Sequence, residues 1–278
     1  VLGVLSLMAW GLGYFGQPHI VVRFMAAESV KSLKNARRIS MAWMVICLVG
    51  AIGIGYFGML YFFKFPEKAS VVSQNNEQIF IELAKLLFDP WTAGVLLSAI
   101  LAAVMSTLSA QLLICSSAIT EDLYKGILRP KASDRELIWL GRVMVLAVAG
   151  LAIYIAQDPN SQVFGLVKDA WAGFGSAFGP IVLLSLFWKR MNGFGAIAGM
   201  LTGALVVYFW KDITLWLALP DVYSMIPGFF LAILAIVIVS LITPMPNQQV
   251  LETFDKSNNM DESPNNYADL KRPRQKSL

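Results

Sequence analysis

The run Ala102-Ala-Val-Met-Ser-Thr-Leu-Ser-Ala-Gln111 carries hydroxyls at a spacing that could hold a cation. Ala103, Ser106 and Thr107 stand at i, i+3 and i+4, so a helix presents all three on one face. Hydroxyls, with a carbonyl freed beside a small residue, supply the neutral oxygen ligands that a hard cation prefers. A singly charged ion such as sodium needs no carboxylate cage. The commoner use of Ser and Thr in an apolar helix is different: they bond back to the i−4 carbonyl or across a helix interface. The spacing alone leaves both readings open.

A second stretch, Trp10-Gly-Leu-Gly-Tyr-Phe-Gly-Gln-Pro-His19, has the composition of an interrupted helix. Each of Gly11, Gly13 and Gly16 weakens a helix by about 1 kcal/mol, and an interior Pro such as Pro18 by about 3 kcal/mol. Within a bilayer, backbone groups freed by such a break persist only where protein or a water-filled cavity receives them. Solute transporters place their substrates at breaks of this kind. A kink used only for packing is the plain rival. Trp10, Tyr14, Gln17 and His19 beside the break favour a site, because an amphiphilic ligand needs aromatic faces and a few polar groups. No nucleophile–base pair, phosphate loop or metal-ligand cluster is visible, and His19 is the sole histidine, so the expectation is a protein that is not an enzyme.

The elements that must position these residues are membrane helices. Of 278 residues, 57% are hydrophobic and 14% charged, with mean hydropathy +0.63. A soluble domain carries about 25% charged residues. A net charge of +4 does not point to nucleic acid, because the basic residues form short clusters between apolar runs. Cys47 and Cys115 both fall in apolar stretches, where they read as packing residues and not as a disulfide framework. The sequence opens on Val1, apolar at once and with no signal-peptide pattern, as though it begins inside a larger protein.

A membrane-crossing helix needs roughly 20 apolar residues. Seven spans meet that measure, at about 1–23, 39–63, 91–117, 136–157, 163–188, 192–210 and 222–242. Ile79 to Phe88 reads as a surface amphipathic helix. Residues 1–242 form the transmembrane domain in this reading, and 243–278, rich in Asn, Pro and Ser, a disordered cytoplasmic tail. Arg23, Lys31, Lys34, Arg37 and Arg38 lie in the first loop, Lys125, Arg129, Lys131 and Arg135 in the third, and Lys189 and Arg190 in the fifth. The intervening loops carry only Lys64, Lys68, Lys85 and Lys211. Positive loops stay cytoplasmic, so the chain starts outside and ends inside. Gly195, Gly199 and Gly203 make a small-xxx-small ridge for close helix packing. The run from Ala172 to Gly179 before Pro180 reads as packing too, with a flexible gating helix as the other possibility.

Trp10 to His19, Ala102 to Thr107, Cys115-Ser-Ser-Ala-Ile-Thr-Glu-Asp-Leu-Tyr124, Trp171-Ala-Gly-Phe-Gly-Ser-Ala-Phe-Gly-Pro180 and Trp188-Lys-Arg-Met-Asn192 together resemble the sodium:solute symporter family. The likeness runs from Val1 to about Trp210, weakens through the seventh span and is absent from the tail. It implies an all-α, polytopic transmembrane bundle of the five-plus-five, leucine-transporter-like fold. The first five spans would be its second inverted repeat and the last two peripheral helices, with the N-terminal half of the same chain missing. Glycine and proline around Tyr14 to His19 most resemble the members that carry proline. The partners implied are therefore L-proline, sodium and the lipid bilayer of a bacterial inner membrane, with the N-terminal end periplasmic. By matching positions, Trp10, Tyr14 and Pro18 would line or shape the proline pocket, and Ala103, Ser106 and Thr107 would hold sodium. Ala110 stands where one familiar relative leads us to expect Cys, a departure we expect to be tolerated. The rivals are another small solute for the same machine, a transporter-like sensor domain and, more remotely, a membrane enzyme. A tail of this length cannot form a kinase domain, which counts against the sensor.

Overall fold

The computed structural model describes residues 2–157, 162–218, 220 and 222–259, all helices and connections. Six helices among them are long and apolar enough to cross a membrane: Ser32–Lys64, Pro90–Leu128, Asp134–Ile155, Val163–Phe187, Gly193–Leu217 and Met225–Ile242. The chain is thus an all-α, multi-pass membrane protein. The first expected span does not join that count, because it is not one helix. It divides into α1 (Leu2–Met8), a 3-10 segment (Ala9–Gly16), Gln17 in extended conformation, and α2 (Pro18–Met25).

The chain separates into two compact units, residues 1–30 with 164–278, and residues 31–163. In the first unit, α8 (Val163–Phe187) is followed by α9 (Gly193–Leu217) and α10 (Met225–Ile242). The expected glycine ridge packs α9 closely. A Cβ on Gly199 would run into the side chain of Ile236, and one on Gly195 into the Ser240 hydroxyl, both on α10. A Cβ on Gly203 would strike the α8 backbone at Ser176. Ala172, Ser176, Met225, Ala232 and Ile236 are fully buried at this junction.

The end of the same unit where α8 meets α9 and α10 runs out is tied by polar contacts. Arg190 donates to the Leu241 carbonyl at 3.0 Å, and the Asn192 amide donates to the Thr243 hydroxyl at 2.7 Å. The tail differs from expectation here. Residues 248–259 form a helix, α11 (Gln248–Asn259), with Leu251 and Phe254 half-buried and Asp255 paired to Lys189 at 2.6 Å. This polar sequence thus has one apolar edge, Leu251 and Phe254, and one exposed ion pair to the turn that follows α8. The remainder of the expected disordered tail, from 260, lies outside the described residues.

The second unit contains the long α3 (Val30–Lys64), short α4 (Ser70–Gln74), α5 (Ile79–Leu87), α6 (Pro90–Ser117) and α7 (Asp134–Ile155). α5 occupies the place of the expected amphipathic surface helix and packs on α3, where Ile79 and Leu83 close over Gly58. The third span runs past its expected end at 117. It continues as a π-helical segment, Ala118–Leu128, which takes Lys125 out of the loop. Hydroxyls inserted into a helical ladder produce such deviations, and two act here. Thr120 donates to the Ser116 carbonyl at 2.9 Å, and Ser116 donates across to the Gly141 carbonyl of α7 at 2.8 Å. Below them Glu136 accepts from both Tyr124 and Arg129 at 2.6 Å, closing the connection.

Candidate functional site

The broken segment of the first unit has a specific receiving surface. α8 presents Gly175 and Gly179 beside Trp171, and the 3-10 segment comes against them with its own glycines. A Cβ on Gly16 would lie 2.5 Å from the Phe174 carbonyl oxygen and 2.8 Å from the Gly179 nitrogen. A Cβ on Gly175 would lie 2.8 Å from the Gly13 Cα. Backbone meets backbone, so none of these atoms can move aside cheaply. Gly11, by contrast, has open space where a Cβ would stand. Runs of 3-10 helix longer than three or four residues are uncommon because their hydrogen-bond geometry is poorer. An eight-residue run therefore needs such outside support.

Aromatic rings complete that support. Trp10 stacks on Trp171 with ring centroids 5.1 Å apart and planes within 12°. Phe164 and Tyr223 stack on Trp10 at 5.8 and 6.4 Å. Tyr14 meets Trp171 edge-on at 5.0 Å. Two hydrogen bonds tie the break to α8: the Trp171 indole donates to the Trp10 carbonyl at 3.0 Å, and the Gln17 amide donates to the Trp171 carbonyl at 3.2 Å. Gln17 is 4% exposed, and this bond answers its buried donor. Pro18 opens α2 at its first turn, where its missing N–H leaves no intrahelical bond unmade. Tyr223 donates to the Lys168 carbonyl at 2.7 Å, and burial, with the Asp169 carboxylate second, pushes its phenol well up.

The structure thus gathers Trp10, Tyr14 and Pro18 on one short stretch beside Trp171, with Tyr14 exposed and Trp10 and Pro18 half-buried. Of the three, Tyr14 leaves its ring exposed beside backbone outside regular α-helix, while Trp10 is stacked by Trp171, Phe164 and Tyr223. Trp171 was not singled out from the sequence. Its contacts come from residues 161 and 154 positions away, and no local spacing announces them. A cavity of about 1020 Å³ in this unit lies instead between α8 and α9, lined by Gly173, Phe174, Ala177, Met200, Ala204 and Val207 among others. None of the residues singled out above as binding candidates lines it.

Ala103, Ser106 and Thr107 belong to the second unit, on an unbroken and exposed part of α6. They share one face, as the spacing requires. The Thr107 hydroxyl donates to the Ala103 carbonyl at 3.3 Å, and Ser109 does the same to Met105 at 2.7 Å. Thr107 and Ser109 therefore follow the back-bonding pattern, while Ala103, Ser106 and Thr107 are exposed residues of α6. The 3.3 Å bond is long for a hydroxyl donor.

Comparison with known proteins bears on both regions. The family model for the sodium:solute symporter family matches residues 1–203. A sodium/proline symporter of Haemophilus influenzae is 66% identical over 260 residues, covering 92% of this chain and 51% of that protein. A sodium/proline symporter of Salmonella typhimurium is 59% identical over 256 residues, covering 92% and 50%. A high-affinity proline transporter of Bacillus subtilis is 52% identical over 256 residues, covering 92% and 52%. Coverage of 92% carries the likeness through α10 and into the segment after it, further than the sequence motifs alone extended it. The chain spans about half the length of the curated relatives it matches. On this match, the chain belongs to the sodium:solute symporter family.

Proposed function

We propose that the full-length protein carries L-proline into a bacterial cell together with sodium, by alternating access across the inner membrane. The observation that carries this reading is the interrupted first segment, supported by aromatic rings and glycine backbone, in a chain whose relatives are named sodium/proline symporters. In this reading Trp10, Tyr14 and Pro18 line or shape the proline pocket. Ala103 offers its carbonyl and Ser106 and Thr107 their hydroxyls to sodium, which travels as cargo. The part of the relatives' length outside this chain supplies the remaining ligands of both sites, and α1 to α8 form the second inverted repeat of the five-plus-five fold. The N-terminal end faces the periplasm and the tail the cytoplasm, following the basic loops.

Sodium binds first, fixes α6 against a partner helix and favours the outward-open state. Proline then enters at the break, and the bundle rocks to release both. Coupling of this kind is a reciprocal binding free energy, typically about 1–3 kcal/mol. The membrane potential adds about 2.3 kcal/mol per charge per 100 mV. The test is uptake of labelled proline by the full-length protein in vesicles, with and without an inward sodium gradient, and with a panel of competing solutes. Sodium-dependent accumulation inhibited best by proline is the expected result. Uptake indifferent to sodium, or better inhibition by a different amino acid, a carboxylate or a vitamin, defeats the reading.

A further inference from the structure

We infer that Trp171 is the positioning residue of the transport site: its indole fixes the start of the broken segment, its main-chain carbonyl takes the bond at the other end, and it acts on the solute through Trp10 and Tyr14. This rests on the proposed role of the break as the solute pocket. At the start of the break the indole N–H reaches the Trp10 carbonyl at 3.0 Å. At its end, Gln17 returns a bond to the Trp171 carbonyl at 3.2 Å. Between these two points the indole lies where a Cβ on Gly13 would stand, so the ring occupies the space that glycine leaves open. Its two faces of contact are complementary. It stacks parallel on Trp10 at 5.1 Å and receives Tyr14 edge-on at 5.0 Å, so the mutual angle of those two rings is set by a third residue on another helix.

The physical consequence is preorganisation. A carbonyl in a 3-10 turn has weak intrahelical partners, and an N–H from a rigid, half-buried indole compensates without adding a mobile group. Removing that donor leaves the segment free to rewind or shift, and the pocket must then be ordered when the solute binds. Affinity falls by the fraction of time the pocket is not formed. A tryptophan that merely fills space would not depend on its N–H.

Trp171→Phe separates these roles, since it keeps an aromatic ring at the stack and removes the donor. In the full-length protein in vesicles, we expect KM for proline to rise about tenfold, equivalent to about 1.4 kcal/mol. The maximal rate, the amount in the membrane and the sodium dependence should stay near wild type. Gln17→Leu removes only the bond to the main-chain carbonyl of Trp171 and should raise KM by a smaller factor. Gly13→Ala, whose methyl group would stand where the indole N–H lies, displaces that donor and serves if the Phe variant does not accumulate. An unchanged KM in the variants that accumulate overturns the inference. So does a fall in maximal rate and membrane amount with KM intact, because that is what lost packing alone produces. Should the wild type carry a different solute, the substrate reading fails, and the KM of Trp171→Phe for that solute still decides the role of Trp171.

Discussion

The two regions that carry the candidate ligands solve the same problem in opposite ways. In the first unit the helix is broken, and its backbone is received by residues distant in sequence: Trp171, Gly175 and Gly179 on α8. In the second unit α6 runs unbroken past Ala103, Ser106 and Thr107, and along that stretch the Thr107 and Ser109 hydroxyls are answered four residues back. A broken segment in an apolar environment cannot stand alone, since each unsatisfied backbone group costs several kcal/mol. A continuous helix can. The first region is therefore assembled within this chain, whereas the second is a face that presents oxygens without requiring a neighbour for its own stability.

The sharpest way to break the comparison is to fill the glycine contact. Gly16→Ala puts a methyl group 2.5 Å from the Phe174 carbonyl oxygen and 2.8 Å from the Gly175 Cα. Overpacking of this kind typically costs about 1–3 kcal/mol, and here the opposing atoms are backbone. We expect a lower melting temperature for the full-length protein in detergent and loss of most sodium-driven uptake. Gly11→Ala, which meets nothing within 4 Å, should leave the melting temperature unchanged. Equal destabilisation by both would show that fit against α8 is not what holds the break.

The next largest effect tests the other side. Ser106→Ala or Thr107→Ala should raise the sodium concentration for half-maximal uptake about tenfold, a change of about 1.4 kcal/mol, with little change at saturating sodium. Thr107→Ser should restore the wild-type value, since it keeps the hydroxyl. Because α6 satisfies itself, neither alanine variant should lower the melting temperature. A sodium requirement that stays at the wild-type value in both would remove these hydroxyls from the cation site.

What the sequence could show follows the same division. The break was legible because Gly11, Gly13, Gly16 and Pro18 are strong local signals, and so was the Gly195–Gly199–Gly203 ridge, because close packing needs small residues at a fixed spacing. The shared face of Ala103, Ser106 and Thr107 followed from helical periodicity. Trp171 was not legible as the holder of the break, since a lone tryptophan in an apolar helix looks alike whether it caps a carbonyl or fills a core. The π segment escaped for a related reason: the bond from Ser116 to Gly141 that accompanies it joins two helices. α11 was hidden by its polar composition, because the Lys189–Asp255 pair that tethers it spans 66 residues.

The smallest expected effect isolates the self-sufficiency of α6 at its start. Asp89 accepts from the backbone N–H groups of Trp91 and Thr92 at 3.1 and 3.3 Å and from the Thr92 hydroxyl at 2.6 Å. These bonds, the Thr92 hydroxyl foremost, hold its carboxyl below the usual aspartate value. A lowered folded pKa means that the cap's stabilisation is complete above the ordinary aspartate range and is lost as the pH falls through the folded value. Asp89→Ala should therefore speed hydrogen exchange at Trp91 to Gly94 at neutral pH. Asp89→Asn, an equally good capping residue, should keep protection there and keep it on acidification, when the wild type loses it. Because the cap is local, uptake should be the same in all three. If Asp89→Ala also accelerated exchange as far along as Ala103 to Thr107, the hydroxyl face would depend on support from beyond its own turn, and α6 would resemble the broken segment more than it differs from it.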